Sequence, residues 1–202
     1  MITDQDIENS RKHMQRLIQK DQVGGASRRF KRFFVGKAEQ SLHTARALFK
    51  LSDSEEGKNL LELPGDYNGY LWAVNSAYYS MFYNATALLA HYGHRLKTRH
   101  SIHSHTYHAL VYYFLDNDQK LTKHILEQYR EAGKEASEIL QTAEEEAREH
   151  VEEVKYERNK RHEFTYEMGK QAEKRKADTS IERAQKFQTL VKELMYPDQR
   201  ER

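Results

Sequence analysis

The chain has 202 residues and sets 33 Lys and Arg against 31 Asp and Glu, so its formal net charge of +2 assigns no partner and any electrostatic signal must come from where the charges sit. With no cysteine it has no disulfide framework, thiolate metal site or cysteine nucleophile, and with 2 Pro and 9 Gly it has few breaks for a many-turned β architecture. No run approaches the roughly 18 apolar residues of a membrane helix, and residues 1–6 are acidic without a leader's apolar core, so a cytoplasmic protein with no membrane partner is expected.

Residues 3–22 read as a first helix, with Thr3 as N-cap, Asp6 three residues on, and a thin stripe of Ile7, Met14, Leu17 and Ile18. So thin a stripe predicts an arm lying on the domain or on a partner. Gly24 and Gly25 break it, and Ser27 can cap the next helix, over 28–51. That helix opens with Arg28, Arg29, Phe30, Lys31, Arg32, Phe33 and Phe34 and carries no acid until Glu39. Residues 53–66 read as a polar loop, the longest structureless stretch expected. Residues 67–92 give the strongest helix: Leu71, Val74, Tyr78, Met81, Ala85, Leu88 and Tyr92 alternate steps of three and four, and Ala73, Ala77, Phe82 and Leu89 widen the face. A helix apolar over that much of its circumference belongs at the centre of a bundle, and Gly93 stops it.

A basic connection, residues 94–100, leads to a helix of about fifteen residues with Ile102, Tyr107, Leu110, Val111, Phe114 and Leu115 apolar. Residues 119–168 hold no proline and one internal glycine, Gly133, which predicts one or two long helices with a hinge there. Charge reverses along this stretch, acidic over 135–153 and basic over 155–176. After Gly169 a polar connection is expected, then a capping signature at Thr179 and Glu182 and a last helix with Ile181, Ala184, Phe187, Val191 and Leu194 on one face. The expectation is all-α: an up-and-down bundle of five to six helices over 27–196, an N-terminal helical arm over 1–26 and a charged tail over 197–202.

The chemistry-bearing stretch is 157–166. In a helix Arg158, His162 and Tyr166 stand four residues apart on one face. An imidazole of near-neutral pKa can take the proton of a ribose 2′-hydroxyl or protonate the leaving oxygen. An arginine can hold the phosphate oxygens with two bonds and stabilise the transition state, with no metal or cofactor required. The plain alternative is a set of intrahelical pairs, Glu157/Arg161 and His162/Tyr166, on a solvated face. Basic residues with interleaved aromatics form three blocks, 28–37, 95–100 and 155–176. A bundle that brought them to one end would offer a phosphate-binding surface, with Lys97, Arg99, Asn159, Lys160 and Arg161 as RNA contacts. Otherwise Phe30, Phe33 and Phe34 are core and the charges solvate helix ends. His100, His103, His105 and His108 fall into two pairs on diverging faces with few carboxylates nearby, so no metal site is expected. On the central helix, Asn75 and Tyr79 either bond to neighbouring helices or line a cleft.

Three stretches resemble the HEPN superfamily of small helical-bundle proteins over about residues 35–195. Ala73 through Leu89, with Ala77-Tyr78-Tyr79-Ser80-Met81-Phe82 at its centre, is similar to that family's central helix. Lys97-Thr98 before a histidine-bearing helix is similar to its lysine–threonine connection. Arg161-His162-Glu163-Phe164-Thr165-Tyr166-Glu167, with Lys176-Ala177 and Arg183-Ala184 downstream, is similar to the ending of one archaeal and bacterial branch. The resemblance implies a homodimer that cuts RNA without a metal at an arginine–histidine motif, toxin- or defence-like. It also implies a minimal nucleotidyltransferase partner that in some systems modifies a tyrosine near the motif. Arg158 and His162 would be the motif pair and Tyr166 the modified residue. Three residues separate Arg158 from His162, fewer than in active members, and this favours a second reading: a non-catalytic module that recognises RNA or the nucleotidyltransferase. A third is a structural protein whose long helix mediates assembly.

Overall fold

Thr3 starts the first helix by a reciprocal cap. Its Oγ1 accepts the Asp6 N–H at 3.2 Å and the Asp6 carboxylate accepts the Thr3 N–H at 2.8 Å. In this computed structural model, which describes residues 1–98, 100–118, 120–153 and 162–197 (the helical backbone alone for 142–153 and 162–170), the arm is α1, Asp4–Gln19. It buries Met14 and Leu17 against the bundle. The expected glycine break is instead a strand, β1 (Val23–Gly25). It pairs antiparallel with β2 (His94–Leu96), Val23 opposite Leu96 and Gly25 opposite His94. The Lys97 side chain lies over Gly24, where a Cβ would displace its outer end. Gly93, at φ +87°, turns the chain into β2.

Ser27 caps α2 (Arg28–Asp53) by accepting the Phe30 N–H at 3.1 Å. A short helix, α3 (Glu55–Leu60), lies in the segment expected to be a structureless loop. The reason is Lys58, 1% exposed, whose ammonium donates to Glu55 and to the Gly65 carbonyl, both at 2.9 Å. A buried cation must be fully partnered, and its partners order the loop.

The central helix is α4 (Tyr70–His91), buried around most of its circumference, as its sequence predicts. It packs most extensively on α2 and next on α7. α5 (Ile102–Leu110) runs on as a π-helical segment, Val111–Asn117. α6 (Lys123–Glu153) passes through Gly133 without a hinge. That glycine is a contact point: a Cβ would lie 3.2 Å from the Tyr78 ring. α7 (His162–Met195) likewise runs unbroken through Gly169 and Thr179, where a connection and a new N-cap were expected. Ala177, Ile181 and Ala184 continue one buried stripe across that point, and packing outweighs the local cap signature.

Helix directions follow from two ends. At one, the Tyr70 hydroxyl donates to Asp53 at 2.5 Å and Lys174 pairs with Asp53 at 2.8 Å. At the other, Lys31 lies beside His91 and over the Tyr196 ring. So α4 and α7 run parallel to each other and antiparallel to α2. The core, with Met81, Leu88, Leu89, Phe114, Leu126 and Val191 at 2% exposure or less, makes this an all-α bundle with one small ribbon. No helix among the described residues is long and apolar enough to cross a membrane.

Candidate nucleic-acid interface

Two of the three basic–aromatic blocks meet. The first turns of α2 present Arg28, Arg29, Arg32 and Lys37 to solvent, and β2 lays Arg95 against them, its guanidinium 4.7 Å from the Phe30 ring centre. Phe30, Phe33 and Phe34 are stacked edge to face, with centroids 4.7 and 5.2 Å apart. Phe34 turns inward, while Phe33 stays 57% exposed with Lys37 over its ring. Neither starting alternative is complete: Phe34 packs on the core and Phe33 is a surface aromatic among cations. Beside them opens a cavity of about 330 Å³, apolar along Phe34, Phe82 and Leu89 and polar along Arg95, Lys97 and Thr98. Lys97 is held in place by Asp21, 2.8 and 2.9 Å from its two carboxylate oxygens.

The first turns of α2 carry cations and no acid before Glu39. Glu39, the first acid of α2, is already bonded to Lys192 at 2.8 Å. Cations in the first turn of a helix sit against the positive end of its macrodipole, which is unfavourable by a few tenths of a kcal/mol or more each until an anion binds.

The third block does not join them. Its described side chains, 171–176, lie at the opposite end, where Lys174 meets Asp53. Arg99 lies outside the described residues, as do Arg158, Asn159, Lys160 and Arg161. His162 opens α7 and Tyr166 follows within it, and for both the helical backbone is described. From His162 to Met195 the helix has 34 residues, about 50 Å. Of the cleft candidates, Tyr79 lines a groove with Lys37, Gln40 and Thr44 between α2 and α4. Asn75 is 5% exposed and its Oδ1 has no partner among the described residues.

The histidines are arranged by the arm, which the sequence pattern does not reveal. His13 of α1 reaches across to α5: its Nε2 is 2.9 Å from His105 Nδ1, and its ring centre is 4.2 Å from that of His108. Ser10 Oγ stands 2.9 Å from His108 Nδ1. Burial, reinforced by the two neighbouring imidazoles, pushes His108 down to about 4, and burial also lowers His13 and His105. Among the described residues no group of three such side chains is placed to hold a metal ion. His103 points elsewhere, taking a 2.7 Å hydrogen bond between its Nδ1 and the Tyr78 hydroxyl. The spacing of His105 and His108 marks one helix face, but their partner His13 lies about ninety residues away and carries no local signal. Compared with known proteins, the chain matches no family model and no curated protein, so its functional reading rests on the residues and geometry above.

Proposed function

We propose that this chain acts on single-stranded RNA. The observation that carries the reading is the convergence of two basic–aromatic blocks, from α2 and β2, around one cavity. Exposed cations can track a phosphate backbone, and Phe30 and Phe33 with the apolar side of the cavity can take unstacked bases. Anions there would also relieve the charge at the start of α2.

In its first form the protein is a HEPN-type, metal-independent endoribonuclease, dimeric, with His162 as general acid/base and Arg158 or Arg161 as phosphate clamp. Support comes from the resemblance over 73–89 and 161–167 and from the chemistry of an imidazole–guanidinium pair. In its second form it binds RNA, or a nucleotidyltransferase that modifies Tyr166, without turnover. The short Arg158–His162 spacing favours this form. Because the basic end and His162 are separated by the length of α7, binding and cleavage are separable by mutation. Arg95→Ala with Lys97→Ala is expected to weaken binding of a labelled single-stranded RNA and to lower its salt dependence. RNA affinity equal to that of the unmodified protein, or none in either at low salt, would remove the reading.

A further inference from the structure

A second cavity, also about 330 Å³, opens where α4, α5 and α6 meet. Its working residues are Tyr78 from α4, His103 and Tyr107 from α5, and Tyr129, Arg130 and Ser137 from α6. Gly133 forms part of the wall, where a Cβ would lie 3.2 Å from the Tyr78 ring.

Every polar side chain in this wall can donate a hydrogen bond, and none is a carboxylate. Tyr129 is 2% exposed, and its hydroxyl closes no hydrogen bond of good geometry; the buried Tyr107 hydroxyl is in the same position. Burial raises the proton affinity of all three phenols, so each keeps its proton. The Tyr78 hydroxyl and His103 Nδ1 share a hydrogen bond of 2.7 Å, and burial disfavours the charged form of that imidazole. The nearby acids are engaged: Asp6 by the Thr3 N–H at 2.8 Å, and Glu127 by the N-terminal ammonium at 2.7 Å. Asp6 also forms a long ion pair with Arg130, at 3.9 Å. Arg130 thus stands beside two buried hydroxyls that close no hydrogen bond of good geometry, in a wall richer in donors than in acceptors.

We propose that this cleft binds a small ligand through an oxyanion, a carboxylate or a phosphoryl group, held by Arg130 with the Tyr107 and Tyr129 hydroxyls, its body lying between the phenol rings. Nothing in this rests on the RNA reading, and Arg95→Ala should leave it unchanged.

The test is a chemical-shift titration of the isotope-labelled full chain with inorganic phosphate and, separately, with benzoate. Saturable shifts are expected at Ser104, Tyr107, Gly133 and Ser137 with at least one probe. Affinity should fall about tenfold in Arg130→Gln and several-fold in Tyr129→Phe. Tyr129→Phe removes a hydroxyl without a good partner, so its melting temperature should hold or rise while binding weakens, a combination that a purely structural role does not give. A response to benzoate alone marks a carboxylate on an aromatic body, and to phosphate alone a phosphoryl group. Saturable shifts with neither probe, shifts confined to other surfaces, or unchanged affinity in Arg130→Gln would overturn the proposal.

Discussion

Arg95 is where fold and proposed function meet in one side chain. Strand pairing fixes its backbone opposite Gly24, and the Phe30 ring fixes its guanidinium. It is exposed, so Arg95→Ala should change stability by no more than about 0.5 kcal/mol while lowering RNA affinity and the slope of log affinity against log salt by about one unit. Binding isotherms at several salt concentrations read both. Leu88 is the opposite case: it is fully buried on α4 and does not line the cavity of the candidate interface. Leu88→Ala should cost about 2–5 kcal/mol in denaturant unfolding, and a loss below about 1 kcal/mol would contradict its place in the core. The periodicity of α4 made Leu88, Met81 and Val74 legible as core from the sequence. Lys58 was not legible, because nothing local distinguishes a buried lysine from a solvated one until Glu55 and Gly65 are seen to close on its ammonium.

At the scale of elements, the arm α1 is held by groups that titrate. His13, His105 and His108 meet where it crosses α5, with Ser10 on His108 and Arg16 near His13, while Arg11 clamps Asp116 at 2.9 and 3.0 Å. In the docked arm burial holds the imidazoles below their ordinary value of about 6.5, so the released arm binds protons more readily. The stability these groups contribute is therefore fully present above pH about 6.5 and is lost as pH falls toward about 4, the value for His108. Hydrogen exchange of the α1 amides should accelerate between pH 7 and 5 after correction for intrinsic rates, and His108→Leu should flatten that dependence. Constant protection over the window would contradict it. The stripe of α1 and its Thr3 cap made that helix legible. The ribbon tying it down could not be read, because Val23–Gly25 finds its partner some seventy residues on and a glycine pair looks locally like a break. The unbroken α7 was missed for the converse reason: Thr179 and Glu182 form a valid local signature that a continuous buried stripe overrides.

On the scale of the whole molecule, the bundle separates what the sequence presents as one basic inventory. The blocks at 28–37 and 95–97 share an end, and the described part of the last block stands at the other, beside Asp53. Of the motif stretch only the backbone of 162–166 is described, at the start of α7 and so about the length of that helix from the basic end. The all-α class and the central position of α4 followed from composition and periodicity. The convergence of α2 with β2 did not, because it depends on helix direction. The most direct measurement is turnover of a mixed single-stranded RNA in EDTA by the unmodified protein, Arg158→Ala and His162→Ala, with helical content and RNA affinity followed in parallel. The account predicts cleavage by the unmodified chain, lost in both variants while binding and folding persist. Cleavage unchanged in both would contradict it, and binding without cleavage in all three would leave the RNA-recognition module in its place.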